Sequence, residues 1–153
     1  MSKKFKWMII GGAGYIGAHV SRCFIDNDLD VVIVDNLVTG IKERIPEKVK
    51  FIKLGCENHN ELNNCILENK IDGIVHLAAF KQARESSRDP IKYWDNNIKT
   101  TLGIVKAIKN TKVKYLIFSS SCSVYGKCGE VKEESKLNPI SPYGWTKFVS
   151  EQI

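Results

Sequence analysis

A tyrosine and a lysine stand four residues apart in "SPYGWTK", as Tyr143 and Lys147. In a helix that spacing puts both side chains on one face. A free tyrosine has a pKa of about 10, too high for a base at neutral pH. A nearby ammonium, or the positive ring of an oxidised nicotinamide, favours the phenolate. Such a pair can move a proton on and off a substrate hydroxyl. Upstream, "FSSSCS" gathers Ser119, Ser120, Ser121 and Ser123, hydroxyls that can hold that substrate. Two plainer readings stand beside these. The first is an exposed helix pair; the second is a serine-rich strand end bonding its own turn.

A second cluster lies near the start. In "IIGGAGYIGAH", Gly12, Gly14 and Gly17 fit G-x-G-x-x-G, and Gly11, Gly14 and Gly17 fit G-x-x-G-x-x-G. Glycines are needed where the chain turns tightly and where a pyrophosphate must approach the backbone. The helix that follows offers free N–H groups and a partial positive charge at its start. Asp35 comes 18 residues after Gly17, at the end of the next apolar run. That is close to the spacing of about 20 for a carboxylate that accepts from a ribose hydroxyl. An acid there repels a 2′-phosphate, so the pattern favours NAD over NADP.

The elements that must carry these residues alternate. Five short apolar runs read as strands: 6–12, 31–36, 49–54, 73–79 and 114–121. They are rich in β-branched residues, as expected for strands of a parallel sheet covered on both faces. Between them lie helical patterns. Ile16, Val20, Cys23, Phe24 and Asn27 trace one face; Leu62, Cys65, Ile66 and Asn69 trace a second. Ile98, Leu102, Val105 and Ile108 trace a third, in the longest helix. Strand and helix in turn imply a doubly wound, Rossmann-like α/β sheet. Two connections are long. Residues 36–48 leave room for a short helix, and 122–142 have no clear period. Loops of that length are usually functional or disordered.

Composition narrows the class. The 153 residues suit one domain, 43% hydrophobic and 26% charged. The net charge of +6 is spread along the chain, without the basic stripe that nucleic-acid binding requires. No run approaches the roughly 20 apolar residues of a membrane span. The basic start runs into the glycine turn too soon for a signal peptide. Cys23, Cys56, Cys65, Cys122 and Cys128 are odd in number and lack C-x-x-C spacing. Neither a metal site nor a disulfide framework is indicated. The cysteines read as reduced thiols in a cytoplasmic protein.

Taken together, the glycine turn, "VDN", "HLAAFK", "NN", "FSSSCSVYG" and "SPYGWTK" resemble the extended short-chain dehydrogenase/reductases. Among these they are most similar to the UDP-glucose 4-epimerases, over essentially the whole chain. The resemblance implies NAD as cofactor, with Gly11 to Gly17 at its pyrophosphate and Tyr15 and Ile16 lying on it. It implies Asp35 and Asn36 at the adenosine ribose, Leu77, Ala78, Ala79, Phe80 and Lys81 along the cofactor, and Asn96 and Ser119 near it. Ser121 would bond the sugar, with Lys81 and Ser123 beside it. Tyr143 would be the catalytic base, and Lys147 would hold the nicotinamide ribose and stabilise the phenolate.

Details place the chain within that group. Related 4,6-dehydratases carry an Asp-Glu pair after the serines; here those positions are Cys122 and Ser123. "FKQARES" is similar to the epimerase pattern, keeping Lys81, Glu85 and Ser86. Two positions depart from it. Gly55-Cys56 stands where the family has Gly-Asp at the adenine, and Arg84 replaces a small residue. The implied reaction interconverts UDP-glucose and UDP-galactose through a 4-keto sugar. Another nucleotide-sugar enzyme of the superfamily, or a non-catalytic NAD-binding module, stays open. Members continue past this length with a substrate domain, so residues 1–153 read as the NAD-binding domain of a longer design, its sheet incomplete at the C-terminal end. The chain alone is then expected to bind NAD weakly and not to epimerise. Members pair through helices of this half, which makes a homodimer using the 90–110 helix the implied assembly.

Overall fold

The apolar runs form strands because each is short and carries β-branched residues, and all but the fourth run into glycine, asparagine or serine. The computed structural model describes residues 4–127 and 129–153. Met1–Lys3 of the basic start, and Cys128, lie outside the described residues. The strands are β1 (Lys6–Ile10), β2 (Asp30–Asp35), β3 (Lys50–Lys53), β4 (Gly73–His76) and β5 (Tyr115–Phe118). They make one parallel sheet in the order β3-β2-β1-β4-β5. The order reverses between β1 and β4. In such sheets ligands bind beyond the carboxyl ends of the strands at that reversal.

Two compact units share the chain: Met1–Ala78 with Gly103–Ser119, and Ala79–Leu102 with Ser120–Ile153. The first contains the sheet, α1 (Tyr15–Asp26) and α2 (His59–Glu68). The second contains α3 (Ala83–Arg88) and α5 (Pro142–Gln152), and α4 (Pro90–Ile108) begins there and ends in the first.

In the sheet unit, successive strand residues point to opposite faces. Met8, Ile10, Val32, Val34 and Ile74 pack with Leu62 and Ile66 of α2 and Ile104 and Ala107 of α4. Ile9, Ile33 and Val75 face the other way, against Val20 and Phe24 of α1. Burial on both faces is why these runs are apolar throughout. β5 departs from that expectation. It pairs on one side only, with β4, and Tyr115, Leu116 and Ile117 are exposed.

The helix faces hold unevenly. In α2, Leu62 and Ile66 are buried as read, and Asn58 caps the helix by accepting the Glu61 N–H. In α1 the buried residues are the small Gly17, Ala18 and Ser21, while Ile16 is exposed. Small side chains let the helix start close to the turn. In α4 the expected stripe holds in part: Ile98, Val105 and Ile108 are half-buried, and Ile108 packs on the core. Leu102 is exposed, and Tyr93, Asn97, Thr101 and Ile104 are buried instead. Two of those are polar, and their hydrogen bonds to α5, given below, explain why burial does not follow hydropathy here.

Among the described residues, both long connections hold a single 3-10 turn, Lys42–Arg44 in the first and Cys122–Val124 in the second. Helix α3 has no periodic signal in the sequence. Among the described residues no three His, Cys, Asp or Glu side chains group as a metal site. No helix among them is long and apolar enough to cross a membrane.

Candidate cofactor and proton-transfer sites

The glycine turn joins β1 to α1 in the sheet unit. Gly11 has a φ of +86°, a conformation that side chains disfavour, and a Cβ there would stand 2.7 Å from the Ala78 nitrogen. At Gly17 a Cβ would meet the Gly11 carbonyl oxygen at 2.2 Å. These two glycines serve the turn's own packing. Gly14 differs. A Cβ there would meet only the Gly11 oxygen, at 3.2 Å, so the space before Gly14 is open. Gly14 is also the N-cap of α1, and no side chain caps the helix. The first-turn N–H groups of a helix have no intrahelical acceptor. An uncapped helix start behind an open glycine fits a pyrophosphate. Tyr15 and Ile16 stand beside it with 63% and 54% of their surface exposed.

Asp35 ends β2 and is buried beside this turn. One oxygen accepts the Ala13 N–H at 3.0 Å, the other the Leu37 N–H at 2.8 Å. A carboxylate has about four acceptor positions, so both oxygens keep capacity for a ribose hydroxyl. Asn36 is exposed and accepts the Val38 N–H at 3.1 Å. Leu77 follows β4, its N–H donating to the Ile10 carbonyl at 2.9 Å. Ser119 follows β5, its N–H donating to the His76 carbonyl at 3.1 Å. Cys56 stands apart from this group, 4% exposed within the core. Burial first, then the Glu57 carboxylate, pushes its thiol up to about 12. It is a neutral core side chain and supplies no carboxylate.

The second unit holds the Tyr–Lys pair. Ser141 caps α5 by accepting the Gly144 N–H at 3.0 Å, and Pro142 sits in the first turn where its missing N–H costs nothing. Tyr143 and Lys147 are 8% and 4% exposed, one turn apart. Burial pulls the Lys147 ammonium down to about 8, and Glu151 pushes it back up. Ser121 caps the 3-10 turn, its Oγ accepting the Ser123 N–H at 3.2 Å. That turn packs so closely on α5 that a Cβ at Gly144 would come within 2.7 Å of the Ser123 oxygen. Ser121, Ser123, Tyr143 and Lys147 therefore share one small framework. Lys81 is exposed just ahead of α3.

The residues that fix α5 in place are given no such role by the sequence: Ser86 and Asn97 stand only within the motifs "FKQARES" and "NN", and Thr101, Thr146 and Ser150 are not singled out. Ser86 Oγ accepts the Tyr143 N–H at 3.1 Å. Asn97 Oδ1 accepts the Phe80 N–H at 2.9 Å, while its amide donates to the Phe80 carbonyl at 3.1 Å and to Thr146 Oγ1 at 3.0 Å. Asn96, the asparagine singled out above, is half-buried and donates to Asn97 Oδ1 at 3.0 Å. Thr101 and Ser150 hydroxyls meet at 3.1 Å. Polar residues at Asn97 and Thr101, one turn apart inside a helix, were the available signal. Tyr93, with its ring edge-on to that of Tyr143 at 6.4 Å, completes the surroundings.

Ser86→Ala tests this support. The Tyr143 N–H would lose its acceptor in a buried place, which costs about 1–3 kcal/mol. Urea unfolding is expected to show a lower midpoint with an unchanged slope. An unchanged midpoint would mean that the cap contributes nothing.

Comparison with known proteins identifies a family. The model of the "NAD dependent epimerase/dehydratase family" matches residues 7–153. The chain is 39% identical to a UDP-glucose 4-epimerase of Lactobacillus helveticus over 150 residues, covering 97% of this chain and 46% of that protein. The structure of the UDP-Glc/GlcNAc 4-epimerase from Campylobacter jejuni superposes with a TM-score of 0.91 at 36% identity, over 97% of this chain and 47% of that one. The Brucella ovis UDP-glucose 4-epimerase in complex with NAD gives 0.93 at 31% identity, over 97% and 46%. The chain thus spans about half the length of the curated relatives it matches.

Proposed function

The chain belongs to the NAD dependent epimerase/dehydratase family, and from that premise we propose that it is the cofactor-binding and proton-transferring half of an NAD-dependent UDP-sugar 4-epimerase. The reaction is the interconversion of UDP-glucose and UDP-galactose. The observation that carries this reading is Lys147, buried to 4% exposure one turn past Tyr143 on a helix capped by Ser141 and packed against the serine segment.

Gly14 and the start of α1 would hold the pyrophosphate, with Gly11 and Gly17 shaping the turn and Tyr15 and Ile16 lying along the cofactor. Asp35 and Asn36 would hold the adenosine ribose. Leu77 to Lys81, Asn96 and Ser119 would line the cofactor, and Cys56, a core thiol at the position expected beside the adenine, would offer it no charge. When bound, NAD supplies a reversible hydride acceptor for the sugar C4. Tyr143 would take the proton of the 4-hydroxyl as that carbon is oxidised and return it on reduction. Lys147 would hold the nicotinamide ribose and stabilise the tyrosine phenolate. Ser121, with Ser123 and Lys81 nearby, would bond the sugar oxygen. The absence of an acid at Cys122 and Ser123 supports epimerisation over elimination, which requires acid–base groups there. A homodimer through the 90–110 helix, and a place in galactose metabolism in the cytoplasm, complete the proposal.

The full protein that carries this chain tests it. Given UDP-galactose, it is expected to form UDP-glucose with no build-up of NADH. Activity should fall as pH rises through about 8, because Lys147 loses its proton there. Steady accumulation of NADH, or flat activity to pH 10, would contradict the reading.

A further inference from the structure

Lys147 is a buried cation on α5, and one turn beyond it the same helix carries Glu151. Residues four apart on a helix are neighbours on its surface. Glu151 also reaches out of the helix: Ser120 Oγ donates to its carboxylate. Ser120 directly precedes Ser121, whose Oγ caps the 3-10 turn lying on α5. One carboxylate therefore touches the serine segment and lies one helical turn from the lysine.

We propose that Glu151 is a positioning residue of the proton-transfer site, tying the serine segment to α5 through Ser120 and serving as the counter-charge to Lys147. This rests on the reading of Tyr143 and Lys147 given above. The other charges nearby do not compete. Glu85 of α3 is taken up by Lys92, at 2.5 Å, and by the Tyr93 hydroxyl, at 2.7 Å. Asp95 of α4 pairs with Lys99 at 2.5 Å. The remaining ionisable groups on the neighbouring elements are Arg84 and Arg88 of α3, Lys106 of α4 and Cys122 of the 3-10 turn, and on α5 itself Tyr143. Glu151 is the group whose charge opposes the effect of burial on Lys147. Without it the lysine would sit deprotonated at a lower pH, and the serine segment would lose its tie to α5.

The test follows Lys147 directly. The full protein carrying this chain is labelled with 15N-lysine, and the Lys147 side-chain signal, assigned by its loss in Lys147→Arg, is titrated. In Glu151→Gln the midpoint is expected to fall by about 0.2–0.4 pH unit. In Glu151→Asp it should stay near the original value. In Ser120→Ala, which keeps the charge and frees the carboxylate, the fall should be smaller. The alkaline limb of turnover should move with the midpoint in each variant. A midpoint in Glu151→Gln that equals the unsubstituted protein's would overturn the proposal. A midpoint that falls in a protein without UDP-hexose turnover would support the counter-charge and reject the epimerase reading, so the two failures are distinguishable.

Discussion

Tyr143→Phe is expected to cut epimerisation by about 10²–10⁴-fold, the range a positioned proton-transfer group contributes, while NAD stays bound. The substitution removes one hydroxyl and keeps the ring. That ring is 8% exposed and stands edge-on to Tyr93, a contact that phenylalanine keeps. Losing one hydroxyl with any hydrogen bond it makes costs about 0.5–1.5 kcal/mol, so the fold should persist. The Ser86 bond goes to the Tyr143 main chain and is untouched. The glycine turn and Lys147 are also unchanged, so cofactor retention should match the unsubstituted protein. A fall in kcat with KM little changed is the expected pattern, because the hydroxyl acts on the reacting proton. Turnover within a few-fold of normal would remove Tyr143 from the role of base.

The glycine turn gives the second large effect, and it separates binding from folding. Gly14→Val places a side chain in the open space before α1, where a Cβ meets one atom, the Gly11 oxygen, at 3.2 Å. The N-cap backbone of Gly14, at φ −73° and ψ 169°, is ordinary for valine. The protein should therefore fold, with thermal stability close to normal. NAD affinity should fall by about 10- to 100-fold, the equivalent of 1–3 kcal/mol of overpacking against the ligand. Gly17→Val contrasts with it. Its Cβ would stand 2.2 Å from the Gly11 oxygen and 2.7 Å from the Gly12 Cα, both backbone atoms. That variant should lose stability whether or not NAD is present. Calorimetric titration with NAD and a melting curve on both variants check the pair. Gly14→Val binding NAD normally would show that the open space is not the pyrophosphate site.

The fold was legible because its strands are continuous apolar runs, most of them ended by turn residues, a local property. The five strands, the glycine turn and α2 all follow from such patterns. What failed was local too, but the decisive partners lay elsewhere. The α4 face was partly misread because Asn97 and Thr101 are buried by hydrogen bonds to Thr146 and Ser150, some 49 residues away. Hydropathy counts them as outward-facing. β5 was read as covered on both faces from its sequence, although a run of apolar residues does not reveal how many neighbours its strand has. The candidate site divides the same way. Its chemistry-bearing residues stood out by type and spacing, as with Tyr143, Lys147, Gly14 and Asp35. Of the residues that hold them, Ser86 and Asn97 lay within the motifs but with no role assigned, and Glu151 in none; their bonds needed the structure. Cys56 shows the converse: its place in the pattern suggested the adenine, and its side chain is a core thiol.

The account's central claim is that hydride leaves C4 of a UDP-sugar and returns to the same carbon on one protein. The full protein carrying this chain should therefore be given UDP-galactose deuterated at C4. The predicted result is UDP-glucose with deuterium retained at C4 and no NADH released. Loss of the deuterium to solvent, or no UDP-glucose at all, would contradict the account.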